Sequence, residues 1–349
     1  MTKRKKLSQG QLRRVRSNQQ KRLKKEDNHQ WLDEQLGSQQ EGTIISRFGQ
    51  HADVEANDGE IFRCNMRRSI DSLVTGDEVV WRAGNEEQSG IRGVIEARHE
   101  RRTVLTRPDF YDGIKAIASN IDQVVIVSAV LPEFSTNIVD RYLVAVEDVG
   151  LEPVILLNKI DLLDPEQQKI IHTQLENYRH LGYKIIYAST KQEQGLQELA
   201  QHLVNKTSIF VGQSGVGKSS LVNSLLPEQS IDTKEVSEQS GLGQHTTTTA
   251  RLYHLNCGGR LIDSPGVREF QLWHLEKERV AWGFIEFRQW LNQCRFRDCK
   301  HQGDPGCAIQ EAIESGKIKQ QRFDSYLRLL ETMENNKPPR TIPGNKFNQ

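Results

Sequence analysis

The segment Gly212-Gln213-Ser214-Gly215-Val216-Gly217-Lys218-Ser219 fits the pattern G-x4-G-K-[ST], with an apolar stretch before it, Ser208 to Val211, and a helical run after it, Ser220 to Leu226. In that context backbone N–H groups turn inward around phosphate oxygens at a helix N-terminus. Residues 212–220, Ser220 included, are therefore expected to hold a nucleotide. Lys218 should reach the β and γ phosphates and the Ser219 hydroxyl should ligate Mg2+. The bland alternative, a glycine-rich turn without nucleotide, does not account for the strand before it and the helix after it.

A phosphate loop does not choose a base. Asn158-Lys159-Ile160-Asp161, directly after the apolar stretch Val154 to Leu157, supplies the guanine-reading pattern. The Asp161 carboxylate can accept from guanine N1–H and the exocyclic amine, a donor pair that adenine lacks. The Lys159 stem can cover the base and Asn158 can fix the loop. Adenine would leave that carboxylate unpaired, so the site should discriminate against it. A lone N-K-x-D is ordinarily a surface turn; a phosphate loop in the same chain changes that weighting. Ser189 and Thr190, after Lys184 to Ala188, stand where a second base-contacting loop belongs. Asp263-Ser-Pro-Gly266 completes the set, with Asp263 on Mg2+ through water and the Gly266 amide on the γ phosphate. Gly241-Leu-Gly-Gln-His245 and Thr246 to Thr249, between phosphate loop and Asp263, would form a first switch with one threonine on the metal.

Hydrolysis needs a water oriented at the γ phosphate. Val267, next after Gly266, cannot do this. His245 is the nearest candidate by sequence, better placed than His254 or His274, although a single histidine in a polar loop is ordinarily an exposed bystander. A different chemistry lies downstream, where Cys294, Cys299, His301 and Cys307 are spaced C-x4-C-x-H-x5-C. Three thiolates and an imidazole form a closed, soft set that suits one tetrahedral structural Zn2+ and leaves no open position for catalysis. The alternative is reduced cysteines packed as small hydrophobes, which their clustering disfavours. Arg295, Arg297 and Lys300 lie between the ligands and could offer RNA a basic surface.

Short alternating segments near Thr43 to Arg47, Ala52 to Glu55, Ile61 to Asn65, Glu78 to Trp81 and Ile91 to Ala97 predict five strands, with a hairpin turn at Asn57-Asp58-Gly59. That pattern suits a small barrel of the oligonucleotide-binding type. From about residue 104 apolar runs alternate with helical periodicity, predicting an α/β domain with a mainly parallel sheet. Its strands are expected at Asp122 to Val130, Pro153 to Leu157, Lys184 to Ala188, Ser208 to Val211 and Arg260 to Ile262. Beyond Gly266, Val280, Phe284, Phe287 and Leu291 fall on one helical face, and another helical stretch spans Ala308 to Met333. The expected division is a basic arm (1–40), a five-stranded barrel (41–103), a P-loop GTPase domain (104–270), a mainly helical metal-binding domain (271–336) and a loose tail (337–349).

The base-reading motif precedes the phosphate loop, the reverse of the ordinary order. Each motif sits on a loop at the carboxyl end of a parallel strand, so a circular permutation preserves the site if the old termini were close. Asp263 to Gly266 then leads straight into the C-terminal region, which a nucleotide-ordered loop could move.

The chain has 349 residues and a formal net charge of +1, but residues 1–25 carry eleven Lys or Arg and no acid. Such a block reads as an arm neutralising nucleic-acid phosphates, or more plainly as a solvated tail. The longest apolar run, Val124 to Leu131, is far short of the roughly 20 residues that span a membrane, and no signal-peptide pattern follows the basic start. Five cysteines, three of them clustered beside a histidine, point to a reducing compartment rather than a disulfide framework.

Together the basic arm, barrel, permuted motifs and C-x4-C-x-H-x5-C spacing, with the segment Leu105 to Asp112, resemble the RsgA/YjeQ family of ribosome-small-subunit-dependent GTPases over nearly the whole chain. That resemblance implies an oligonucleotide-binding barrel, a permuted GTPase domain, a zinc domain, and work late in 30S subunit maturation in the cytoplasm. It implies partners in the 30S subunit, 16S rRNA and GTP or GDP, and a catalytic role for His245 once the subunit orders its loop. Neither DNA nor a membrane is an expected partner, and a monomer is expected off the ribosome. Hydrolysis would drive release or a checkpoint. Two other readings stay open on the residues alone: a zinc-stabilised RNA-binding module with a structural nucleotide pocket, and an ATPase in which Asp161 is idle.

Overall fold

The structure is a computed structural model that describes residues 36–67, 69–70, 72–88, 90–109, 113–226, 250–263 and 275–335. The expected five strands are present as β1 (Leu36–Phe48), β2 (His51–Ala56), β3 (Ile61–Met66), β4 (Glu78–Gln88) and β5 (Ile91–Arg98). They pair in the order β1-β2-β3-β5-β4, and β4 returns to β1 to close the barrel. Alternation drives this: every second residue of β2 is buried, and Ile44, Val54, Val79, Trp81 and Ile95 fill the interior. Strand β1 starts at Leu36, earlier than the alternating pattern suggests. Ser38 to Glu41 are polar and exposed, so their extended conformation comes from backbone pairing with β4 and leaves no hydrophobic period. Gly59, at φ +86°, makes the expected turn between β2 and β3.

A hairpin that the sequence pattern did not reveal, β6 (Val104–Asp109) and β7 (Gly113–Ser119), follows the barrel. The α/β domain then runs β8 (Gln123–Ala129), α1 (Thr136–Asp148), β9 (Glu152–Asn158), α2 (Pro165–His180), β10 (Lys184–Tyr187), α3 (Gln197–Leu203), β11 (Thr207–Val211), α4 (Lys218–Leu225), β12 (Arg251–His254) and β13 (Arg260–Asp263). Its strand order is β10-β9-β8-β11-β13-β12, parallel except for β12, which also went unrecognised in the sequence. All seven residues of β8 are buried. Val124 and Ile126 face a core built with α1 and α2, whereas Val125, Val127 and Ala129 face a second core built with α3 and α4. Helices on both faces explain the uninterrupted apolar strands. Through a bridge between Ser46 and Arg251 the barrel and this sheet form one continuous sheet.

The C-terminal region contains α5 (Lys277–Gly283), a 3-10 turn (Ile285–Phe287), α6 (Ala308–Glu314) and α7 (Gln320–Asn335). The single helical face expected through Leu291 is interrupted, because Phe284 is extended at φ −85° and ψ 97°. Val280, Phe284 and Phe287 nevertheless share one core, which Leu291 joins from its rim. The stretch from Ala308 is likewise two helices, separated by a turn at Gly316 with φ +70°. Among the described residues no helix is long and apolar enough to cross a membrane.

Candidate nucleotide site and metal-holding cluster

Parallel pairing of β10, β9, β8, β11 and β13 brings their carboxyl ends to one edge of the sheet. Asn158 ends β9, Ser189 follows β10, Gly212 follows β11 and Asp263 ends β13. Motifs far apart in sequence therefore meet at adjacent strand ends, whatever their order along the chain.

The phosphate loop needs glycine at particular points. Gly217 has φ +92°, and a Cβ there would come within 2.4 Å of Asn158 Nδ2, so the base-reading loop presses directly on the phosphate loop. Gly212 lies against β8, where a Cβ would stand 2.2 Å from the Val127 carbonyl oxygen. Lys218 opens α4 and donates its ammonium to the Gly212 carbonyl at 2.6 Å and to that of Gln213. Ser219 and Ser220 follow in the exposed first turn. Ser214 and Gly215 are exposed, Gln213 is half-buried and Val216 is buried in the second core.

The two motifs are bonded to each other. Asn158 Nδ2 donates to the Val216 carbonyl at 2.9 Å. Lys159, in the left-handed region at φ +61°, donates to the Gly215 carbonyl at 2.6 Å and the Leu131 carbonyl at 2.7 Å. Ile160 starts a 3-10 turn that carries Asp161, whose Oδ1 accepts from the buried Ser189 hydroxyl at 2.5 Å. Ser189 Oγ in turn accepts the Lys191 amide at 3.1 Å. The second base loop is thus tied to the guanine-reading carboxylate, while Thr190 is exposed beside it. The Leu131 contact was missed by sequence reasoning, since a backbone acceptor leaves no trace in residue type.

Strands β11 and β13 pair in register from Thr207 with Arg260 to Ile209 with Ile262, so the loops bearing Ser219 and Asp263 leave neighbouring strands. A hydroxyl and a carboxylate so placed fit a hard cation such as Mg2+. Gly266, His245, the threonines 246–249, Val267, His274, residues 1–35 of the arm and the tail lie outside the described residues, while residues 36–40, expected in the arm, belong to β1. His254 is turned to the barrel, where its Nε2 meets both Glu55 carboxylate oxygens at 2.8 and 2.9 Å.

In the second cluster, His301 Nδ1 lies 3.6 Å from Cys294 Sγ, 3.5 Å from Cys299 Sγ and 3.4 Å from Cys307 Sγ. All four donor atoms lie within 4.8 Å of one another and could hold a metal ion. A tetrahedral Zn2+ with usual bond lengths would set its nitrogen and sulfur ligands about 3.6 Å apart, so the cluster has the size that ion requires. The loop is shaped by His301 at φ +59°, by Gly303 and Gly306, and by Asp304, which accepts the Lys300 amide at 3.0 Å. Desolvation, then the adjacent Cys307 and Cys294 thiols, hold the Cys299 thiol up at about 12, a cost that a bound cation would remove. Burial lowers the His301 pKa and favours the neutral ring that ligates metal. Arg295, Arg297 and Lys300 are all exposed.

The sequence profile of the RsgA GTPase family matches residues 98–273. A protein from Pectobacterium carotovorum named small ribosomal subunit biogenesis GTPase RsgA is 60% identical over 332 residues, covering 94% of this chain and 95% of its own. A Vibrio vulnificus protein named small ribosomal subunit biogenesis GTPase RsgA 1 is 58% identical over 348 residues, 99% of each chain. The crystal structure of YjeQ from Thermotoga maritima superposes with a TM-score of 0.68 at 32% identity, covering 85% of this chain and 99% of that one. YloQ, described as a circularly permuted GTPase, gives a TM-score of 0.68 at 30% identity over 89% of this chain and 100% of its own.

Proposed function

This chain belongs to the RsgA GTPase family, and we propose that it hydrolyses GTP to GDP and phosphate while assisting late maturation of the small ribosomal subunit. The observation that carries the site assignment is the direct bonding of Asn158 and Lys159 to the carbonyls of Val216 and Gly215. It fixes the distance between base-reading and phosphate-holding loops, which is what one nucleotide spanning both requires.

In this reading Asp161, held by Ser189, accepts from the guanine edge, and the amides of 213–220 receive the phosphates. The Lys218 ammonium exchanges its loop carbonyls for phosphate oxygens. Mg2+ held by Ser219 and Asp263 would supply charge neutralisation across the β and γ phosphates. Gly266 meets the γ phosphate and His245 orients the attacking water. Cys294, Cys299, His301 and Cys307 hold Zn2+ as a structural staple. With β1 starting at Leu36 the arm ends at residue 35 rather than 40, and the divisions at 103, 270 and 336 are kept: arm, barrel and zinc domain bind 16S rRNA of the 30S subunit, and the central domain performs hydrolysis coupled to release or a checkpoint. The protein acts in the cytoplasm, as a monomer off the ribosome.

Steady-state hydrolysis of GTP and ATP, with and without 30S subunits at two salt concentrations, tests this. GTP-selective turnover that rises with 30S and falls with salt is expected. Asp161→Asn should weaken the guanine preference more than phosphate binding. Equal, slow turnover of both nucleotides regardless of subunits would overturn the proposal.

A further inference from the structure

The first turns of α1 are gripped from the C-terminal region. Arg322 on α7 is 5% exposed, yet its Nη1 donates to Asp140 Oδ1 on α1, and its Nε donates to Glu286 at 2.6 Å. The Tyr178 hydroxyl on α2 donates to the same Asp140 oxygen at 2.6 Å. Two exposed neighbours on α7 extend the grip, with Gln321 Nε2 3.3 Å from Thr136 Oγ1 and Arg328 Nη1 2.9 Å from Asn137 Oδ1.

Residues 131–135, which lead into α1, lie against the phosphate loop. Pro132 Cδ is 3.7 Å from the position of a Cβ on Gly215. Between this lead and Gln213 and Val216 lies a small cleft of about 10 Å³, room for about one water molecule. The Leu131 carbonyl accepts the Lys159 ammonium that also bonds Gly215. A shift of the lead therefore acts on Lys159 through the Leu131 carbonyl and on the phosphate loop through Pro132.

We propose that Arg322 is a positioning residue for the nucleotide site, setting the Leu131 to Ser135 segment against Lys159 and the phosphate loop through its grip on Asp140 at the start of α1. The inference rests on the reading that this loop holds a guanine nucleotide. It differs from any route through the loop after Asp263, because it passes from α7 through α1 and the segment that leads into it. Coupling of this kind is reciprocal: nucleotide protects α7, and loosening α7 weakens nucleotide.

The test uses the full chain with its metal, amide hydrogen exchange across Gln320 to Asn335 with and without saturating GDP, and GDP affinity by titration. In the wild type GDP should slow exchange in α7 several-fold. Asp140→Asn, which leaves Arg322 paired with Glu286, should still bind GDP but about 5- to 10-fold more weakly, and the GDP-dependent slowing should disappear. A pair that is merely structural would speed exchange equally with and without GDP, and that unchanged ratio would overturn the proposal. Should Asp140→Asn lack a cooperative melt, the same ratio is read in Arg328→Ala, whose side chain is exposed; a smaller ratio supports the proposal and an unaltered one overturns it. Wild-type protein that binds GDP without any change in α7 overturns this inference alone, whereas wild-type protein that binds no GDP overturns the nucleotide site as well.

Discussion

The barrel and the C-terminal region each meet the GTPase domain beside a buried carboxylate that an arginine holds, half-buried Arg101 on one side and buried Arg322 on the other, but the two junctions are built differently. At the barrel, Asp77 is fully buried and accepts from Arg101 Nε at 2.6 Å, Arg101 Nη2 at 2.8 Å, Ser119 Oγ at 2.7 Å and the Val74 amide at 2.7 Å. Around it lie the Ser46 to Arg251 bridge, a Thr75 hydroxyl on the Ala250 carbonyl at 2.9 Å, and Ile45 of β1, whose side chain is buried in the GTPase core with Ala250 and Leu252. At the C-terminal junction one cation serves two carboxylates. Burial alone would lower the Arg322 guanidinium, but Asp140 and Glu286 outweigh it and hold its pKa above the ordinary value. An apolar core surrounds that triad, and Val144 and Ala145 of α1 belong to it together with Phe284 and Tyr326. The first junction combines a hydrogen-bond network with one buried apolar side chain, Ile45, whereas the second is set in a larger shared core. The barrel should therefore separate from the GTPase domain under stress sooner than the C-terminal region, which should move with α1.

The strongest test of that contrast is Asp77→Ala. It leaves Arg101 without its carboxylate and the Val74 amide without its acceptor, at a cost of about 3–5 kcal/mol. Two resolved transitions in urea unfolding are expected, the barrel opening first and the remainder near its wild-type midpoint. A single transition with everything shifted together would show that the barrel junction is as cooperative as the other. Glycines probe the same contrast with a smaller effect. Gly76 has φ +91°, and a Cβ there would sit 2.2 Å from the Ser119 carbonyl oxygen. At Gly283 the corresponding Cβ would lie 2.8 Å from Val144 Cγ1, which can rotate aside, though the helix backbone follows at 3.0 Å. Gly76→Ala should cost about 3 kcal/mol and Gly283→Ala about 1 kcal/mol by thermal melting. The reverse order would mean that the α1 to α5 contact is the less tolerant one.

What the sequence disclosed about these regions follows from what a residue type can encode. The phosphate loop, N-K-x-D and the cysteine spacing are local, and each chemistry needs its own residue types at fixed intervals, so they stood out. The strands β8 and β9 also stood out, because burial on both faces makes an apolar run. The start of β1, the β6 to β7 hairpin and β12 did not, since backbone pairing there holds mixed or polar residues. Asp140 and Arg322 were equally silent: 182 positions apart in the chain, each looks like an ordinary charged residue on an amphipathic helix. Only the fold reveals that both are buried. The permutation belongs between these cases, for motif order was visible but not the strand register that makes it harmless.

The smallest expected effect is a pH dependence confined to the barrel side. His254 on β12 bonds Glu55 on β2, and that hydrogen bond, set against desolvation, raises the histidine pKa above its ordinary value. Because the folded value is the higher one, the contact contributes fully below the unfolded pKa of about 6.5 and is lost as pH rises through the raised folded value. With the His254 side chain 57% exposed, solvent screening keeps the contribution well under about 1 kcal/mol. Hydrogen exchange in β2 and β12 between about pH 6 and about pH 8, corrected for intrinsic rates, should show protection falling slightly in wild type and flat in His254→Gln. The C-terminal junction supplies the control: Arg322 stays charged throughout, so protection of α7 should not change over the same interval. A parallel loss in both places would mean that protons act on the molecule as a whole, and that the barrel is not the more independent partner.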